Sequence, residues 1–380
     1  MLRRLTLGFF ALVCAAAVAA CSSSDATPPS SGGQPGLGPN FATGTVYVSD
    51  TTANTVLIYT PAPAPSATPQ FSIGGSNTGL NGPRYLAFDS TKKLYVTNYN
   101  SGTQTGSVTI YQTFATGNVL PLNSLPLLTG AQPHGIALSP KDASYAVAIT
   151  SPNGFFTSAV DVVGLASNSV LFNIAGSNTG LSAPVGVAID TNSNVYVANS
   201  GNASVTVYAL PSPTTAPSPT ATPAPTPTPS VSPSPTPTPT PASDNLTPST
   251  TIAGGSTGLV TPMGAALDSK GNLYVTDVGN GSGSAPKILV FNAPFAAGLQ
   301  NLAPSATITS SALIYPTDVK LDAAGNIYVV DAGSGPNTGS ASSTSKLLIF
   351  APNPVGTVNE NPTVSIVLPQ GSATGVGIAP

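Results

Sequence analysis

The sequence predicts an all-β fold: a six-bladed β-propeller of four-stranded antiparallel blades, closed by pairing of N- and C-terminal strands in one blade. Three observations predict it. A short apolar strand pattern recurs with a period of about 50 residues, within the range of propeller blades. Each repeat divides into four short strands separated by Gly, Asn, Asp and Ser turns. The order of strand types leaves one strand over at the C-terminus, the type that is missing at the start.

The innermost strand, a, opens on Pro, any residue, then Gly and a short apolar stretch. Its copies are PRYLAFD (Pro83–Asp89), PHGIALS (Pro133–Ser139), PVGVAID (Pro184–Asp190), PMGAALD (Pro262–Asp268) and PTDVKLD (Pro316–Asp322), with a degraded copy at Ala373–Pro380. Strands buried on both faces become nearly continuous apolar runs, and these do. The residues that follow, such as Asp322-Ala323-Ala324-Gly325-Asn326, carry hairpin-turn chemistry.

Strand b follows at Thr45–Asp50, Lys93–Asn98, Tyr145–Thr150, Asn194–Asn199, Asn272–Asp277 and Asn326–Asp331. Strand c is represented by Thr55–Tyr59, Ser107–Tyr111, Ser158–Val163, Ser204–Tyr208, Lys287–Phe291 and Lys346–Phe350. Strand d is clearest at Phe71–Leu80, Phe172–Leu181 and Thr251–Leu259. The chain opens on b and ends on a lone a, so Ala373–Pro380 is expected to complete the first blade beside Thr45–Asp50. Only the interval from Pro184 to Pro262 is out of period. A run from Pro211 to about Ala242, Pro alternating with Ser, Thr and Ala, lies there in a loop insert at 211–247. Such a run cannot form a ladder and favours polyproline II, so it is expected to protrude from one blade.

Composition narrows the function. Only 6% of residues are charged, with net charge −3, against about 25% in ordinary globular proteins. A surface of hydroxyls and amides steers weakly at long range, and the chain lacks the clustered cations that nucleic acid requires. At the N-terminus Arg3 and Arg4 precede an apolar run, Leu5–Ala20, that is short for a membrane span.

Two family resemblances follow from these residues. Val18-Ala19-Ala20-Cys21 resembles the lipobox of bacterial lipoproteins. It implies a signal peptide at 1–20 and lipidation of Cys21; the Ser-, Gly- and Pro-rich stretch that follows reads as a flexible tether, so 21–42 is the lipidated Cys and tether and 43–380 the propeller. The only other cysteine, Cys14, would leave with the signal, so no internal disulfide is expected. Ser22 after the Cys resembles an outer-membrane address, so the expected location is the outer membrane or cell surface rather than the inner membrane. The repeats themselves resemble NHL-repeat propellers, with Pro-x-Gly-Φ-Ala-Φ-Asp, then Φ-Tyr-Val-x-Asp, then Val-x-Val-Tyr/Phe, where Φ is apolar. The likeness covers Thr45 to Pro380 except the insert. It departs where Ser139-Pro140-Lys141 replaces the Asp turn and where Asp318 stands in place of Gly.

With strand a innermost, as in that family, the a–b and c–d loops share one face with the tether and the insert. The b–c and d–a loops share the other, which is the expected recognition face. The residue after each strand-a Pro is expected at the channel mouth: Arg84, His134, Val185, Met263, Thr317 and, by alignment, Thr374. Of these, Arg84, His134, Met263 and Thr317 are candidate binding residues. Asp50, Asn98, Asn199, Asp277 and Asp331 end strand b and form a candidate polar ring on the loop face. Such a ring could ligate Ca²⁺ through oxygen, but a repeated position reads first as structural, and no cofactor is expected. Asp89, Asp190, Asp268 and Asp322 read as turn residues. His134 is the only histidine, which leaves no convincing zinc set or Ser-His-Asp arrangement; Asp161 and Asp142 are its only candidate partners.

These readings favour a monomeric, non-catalytic binding or scaffold propeller, held to the envelope by its lipid anchor, whose ligand is a protein or glycan. Two alternatives stand beside it. One is a lyase- or lactonase-like enzyme with its site near His134, since PHG (Pro133–Gly135) resembles the His-bearing inner strand of streptogramin-lyase-like propellers. The other is a structural envelope component.

Overall fold

A computed structural model describes residues 41–127, 131–141, 144–150, 158–167, 169–210, 243–333, 344–369 and 372–380. The chain is all-β, and its strands form six antiparallel sheets, one per blade. The first blade takes its inner strand from the end of the chain: Ala373–Ile378 pairs antiparallel with Val46–Asp50, which pairs with Thr55–Tyr59 and then Phe71–Gly74. The inner strands of blades 2 to 6 are Pro83–Phe88, Gln132–Leu138, Pro184–Ile189, Pro262–Leu267 and Pro316–Leu321.

Six apolar clusters hold the ring, each filled by side chains from neighbouring blades. One joins Val46, Val48 and Tyr59 of blade 1 to Tyr328, Val330 and Leu347 of blade 6, across the seam between the chain ends. Closure therefore buries apolar surface as well as completing a ladder, which is the main source of stabilisation available to a chain with so few charges.

The Pro-x-Gly signature has a local cause. In every blade the register of strands a and b shifts near the start of strand a, as between Pro83 and Leu86. A bulge at this place turns the next two residues out of the ladder. Strand b hydroxyls replace the missing ladder partner: Tyr85 N–H donates to Thr97 Oγ1 at 3.0 Å, Gly264 N–H to Thr276 Oγ1 at 2.8 Å and Gly375 N–H to Ser49 Oγ at 2.9 Å. Glycine follows because adjacent inner strands nearly touch here. A β-carbon on Gly186 would lie 2.2 Å from the Met263 carbonyl oxygen.

Each blade has its four antiparallel strands, and some gain an edge strand from a neighbour. In blades 3, 4 and 5 a fifth, parallel strand lies on the outer edge, supplied by the c–d connection of the following blade. Ser243–Asp244 pairs with Asn173–Ile174, Gly298–Gln300 with Thr250–Ile252, and Gly356–Asn359 with Ala306–Thr309. Gly117 makes the same parallel bridge to Ile73 of blade 1. The insert at 211–247 thus ends as a strap on the preceding blade rather than as a loop of one blade; residues 211–242 lie outside the described residues. An Asn recurs in each strap, with Pro three positions later: Asn118 and Pro121, Asn245 and Pro248, Asn301 and Pro304, Asn359 and Pro362. Three of these Asn side chains accept a d–a turn N–H of the preceding blade, from Asn77, Asn178 and Ser256, at 2.8, 2.8 and 2.9 Å. Blade 6 receives no such strand among the described residues, and neither does blade 2. The outer strand of blade 2, Asn123–Pro126, is blunted instead by Pro126 and by Asn123 Oδ1, which accepts the Ser124 N–H at 2.8 Å.

Candidate functional site at the channel mouth

The bulge in each blade falls at the residues that follow the first residue of strand a. Hydrogen bonds between blades tie the backbone oxygens there into a collar. Thr51 Oγ1 donates to Pro83 O at 2.8 Å, Thr97 Oγ1 to His134 O at 3.0 Å, and Thr317 Oγ1 to Thr374 O at 2.8 Å. The Arg84 carbonyl accepts from Ser49 Oγ and, at 3.2 Å, from Thr374 Oγ1. Of the mouth residues expected from sequence, Thr317 and Val185 are buried, while Arg84, His134, Met263 and Thr374 are partly exposed.

Arg84 and His134 are neighbours, but each is already engaged. With the Gln132 amide oriented to suit its neighbours, its oxygen accepts from both terminal nitrogens of Arg84 at 2.8 Å. The guanidinium carbon also lies 5.1 Å from the centre of the Tyr99 ring, within cation–π range. His134 Nε2 and Thr150 Oγ1 lie 2.9 Å apart and share a hydrogen bond. The Tyr85 ring meets the imidazole edge-on at 6.4 Å. Burial, and then the positive charge of Arg84, push the His134 imidazole down to about 3. It is therefore neutral at ordinary pH and a weak base, because proton-transfer efficiency is best when the pKa lies near the working pH. Asp161 does not orient it. Its Oδ1 accepts from Asn173 Nδ2 at 2.6 Å, between strands c and d of blade 3. Asp142 lies outside the described residues.

The polar ring that ends strand b is buried at all five positions: Asp50, Asn98, Asn199, Asp277 and Asp331 are each 1% exposed or less. Their oxygens face inward. Asn98 Oδ1 accepts the Asn81 N–H at 3.2 Å and Asn199 Oδ1 the Ser182 N–H at 3.1 Å. Asp277 Oδ2 takes Val260 and Thr261 N–H at 2.7 and 3.1 Å, and Asp331 Oδ2 takes Ile314 and Tyr315 N–H at 2.7 and 3.1 Å. Asp50 Oδ1 accepts the Ala53 N–H at 2.9 Å. In four blades these groups fasten the d–a turn to strand b, supplying acceptors to turn amides that would otherwise be orphaned. At the other end of strand a, Asp89, Asp190, Asp268 and Asp322 each accept the N–H groups two and four residues on, all at 2.8 to 2.9 Å.

Two residues of the inner strands took on roles that the sequence reading did not assign them. The third position of strand a is Gly135, Gly186, Gly264 and Gly375 in four blades but Tyr85 and Asp318 in the others. Tyr85, in blade 2, reaches across blade 1 to Thr317 of blade 6, where its hydroxyl donates to the carbonyl at 3.4 Å. Asp318 accepts Val376 N–H of blade 1 at 3.1 Å and Lys320 Nζ at 3.0 Å. Both are buried. The signal was present as two departures from an otherwise regular Gly. The Asp318 departure reads from sequence only as a weaker match to the repeat.

No family model matches this chain, and no curated protein matches it. Solved structures do. A protein of unknown function from Bacteroides caccae is 10% identical, covering 88% of this chain and 98% of its own, with TM-score 0.54. A luciferin-regenerating enzyme is 13% identical over 88% of this chain and 95% of its own, with TM-score 0.48. A candidate 6-phosphogluconolactonase from Bacteroides uniformis is 15% identical over 82% of this chain and 79% of its own, with TM-score 0.47. At such identities the likeness is one of fold, and the fold is the propeller. Because one fold carries many chemistries, function rests on the site itself.

Proposed function

We propose that this chain is a non-catalytic recognition propeller, held to the cell envelope by a lipid on Cys21, that binds a protein or glycan through its b–c and d–a loops. The observation that carries this reading is how the ionisable groups near the mouth are used. Arg84 is held by Gln132 and Tyr99, His134 is neutral and bonded to Thr150, and the strand-b carboxylates are occupied by turn amides. What remains for a ligand is the surface of the d–a turns, including exposed Asn77, Ser177 and Asn178. Hydroxyls and amides on a rigid scaffold suit a neutral, hydrogen-bonding ligand. The NHL-like repeat pattern and the lipobox-like segment support the same reading, although Cys21 lies outside the described residues.

The test is site-directed photo-cross-linking in cells. A photoreactive residue at Asn77 or Ser177 is expected to capture a discrete adduct, and one at Thr91 or Asn192, on the a–b turns, is not. Adducts confined to Thr91 and Asn192 would overturn the assignment of the face. Labelled fatty acid is expected on the wild-type chain and absent from Cys21→Ser; label that persists in the variant would remove the anchor.

A further inference from the structure

On the a–b turn side of Tyr85 and Asp318, the inner strands line a cavity of about 250 Å³. All six inner strands line it, from Leu86 in blade 2 round to Ile378 in blade 1. The repeat explains the space. The fifth position of strand a is Ala87, Ala137, Ala188 and Ala266 in four blades and Gly377 in another. Side chains this small leave space at the axis, whereas the residues one position to either side are mostly larger and apolar. The remaining copy has Lys320, the one charged side chain on the cavity wall among the described residues.

Lys320 gives this wall a specific chemistry. An ammonium has three N–H donors. One goes to Asp318 Oδ1 at 3.0 Å and one to the Val319 carbonyl at 3.2 Å, leaving a third for an acceptor in the cavity. Its charge is already matched by Asp318, so a second anion would sit beside an already compensated pair, which is costly. For scale, an apolar cavity of about 150 Å³ holds benzene, so this one suits about ten heavy atoms.

We propose that the axial cavity binds an uncharged, apolar molecule of about ten heavy atoms that carries one hydrogen-bond acceptor, received by Lys320. This goes beyond the recognition surface proposed above, since it concerns the opposite end of the channel and a small molecule.

The experiment is calorimetric titration of the full mature chain with 2-octanone, and with octanoate as the charged comparison. The expected result is one-to-one binding of the ketone, with octanoate at least about tenfold weaker. Ala137→Leu, at a partly exposed wall position, should fill the space and abolish binding while the circular dichroism spectrum is unchanged. Lys320→Met should weaken the ketone about tenfold through loss of one charge-assisted hydrogen bond. Absence of ketone binding, tighter binding of octanoate, or full affinity in Ala137→Leu would each overturn the proposal. Loss of the d–a loop adducts with this binding intact would instead remove only the recognition reading.

Discussion

Lys320 Nζ lies 3.0 Å from Asp318 Oδ1, and this is the one ion pair among the described residues. It sits where two repeat positions, one Gly in four of the other five blades and one Ala or Gly in all five, both carry charge in a single blade. Asp318 is 2% exposed and Lys320 23%, so each neutralises a charge that the channel wall could not otherwise hold. Burial pushes the Asp318 carboxyl above its ordinary range, while Lys320 and the Val376 and Val319 amides pull it back. Asp318→Ala should cost about 3 kcal/mol, near the low end for breaking a buried pair because Lys320 keeps some contact with water. Asp318→Ala with Lys320→Ala should cost less than the sum of the single changes, by about 1–3 kcal/mol. Urea unfolding of the four proteins checks this, and strict additivity would contradict it.

His134 makes stability depend on pH in a defined direction. Its folded value of about 3 lies below the ordinary 6.5, so between these limits the unfolded chain binds the proton and the folded chain does not. Its contribution is present above pH 6.5 and is lost as pH falls toward 3. His134→Gln should remove that part of the slope, leaving a difference of a few kcal/mol between the two proteins' losses from pH 7 to pH 4. Unfolding at the two pH values measures it. Parallel curves for wild type and variant would show that the imidazole is not held neutral.

The straps make a prediction about the outer edges. Gly254 has φ near +115°, and a β-carbon there would lie 2.5 Å from Asn301 Oδ1. Asn301→Ala should cost about 1 kcal/mol, the value of one hydrogen bond. Gly254→Ala should cost more, about 1–3 kcal/mol, because the backbone strain is added to the clash. In the double variant only the clash is relieved. Thermal or urea unfolding resolves the three values.

Ring closure was legible in the sequence because it follows from strand order alone: a chain that opens on b and ends on a has one blade to complete. The Asp turns were legible for the same local reason, since Asp89 and Asp322 bond amides only two and four residues away. The straps were not. Asn118, Asn245 and Asn301 act on the preceding blade, and their shared spacing to Pro is hidden among 40 prolines. The polar ring at the ends of strand b was found, but its direction was not. Whether Asp277 faces solvent or the Val260 amide depends on how the d–a turn folds back over it. The mouth residues were located by register, whereas the partners that occupy them, Gln132, Tyr99 and Thr150, lie off the repeated motif.

Deleting residues 373–380 tests the closure. The deletion removes buried Ala373, Val376 and Ala379 and exposes the edge of Val46–Asp50. Loss of a single cooperative thermal transition is expected, with aggregation through the new edge. Retention of the wild-type transition would mean that the first blade is stable on three strands.

The central functional claim is that recognition belongs to the loop face and not to chemistry at the mouth. It is tested most directly by quantifying the partner cross-linked from envelope preparations to three proteins: wild type, His134→Gln, and Asn77→Arg with Ser177→Arg. The account predicts that His134→Gln retains the wild-type yield and that the paired arginine variant loses at least about tenfold, through desolvated charge placed in a neutral interface. Loss of capture in His134→Gln, with full yield from the arginine variant, would contradict it.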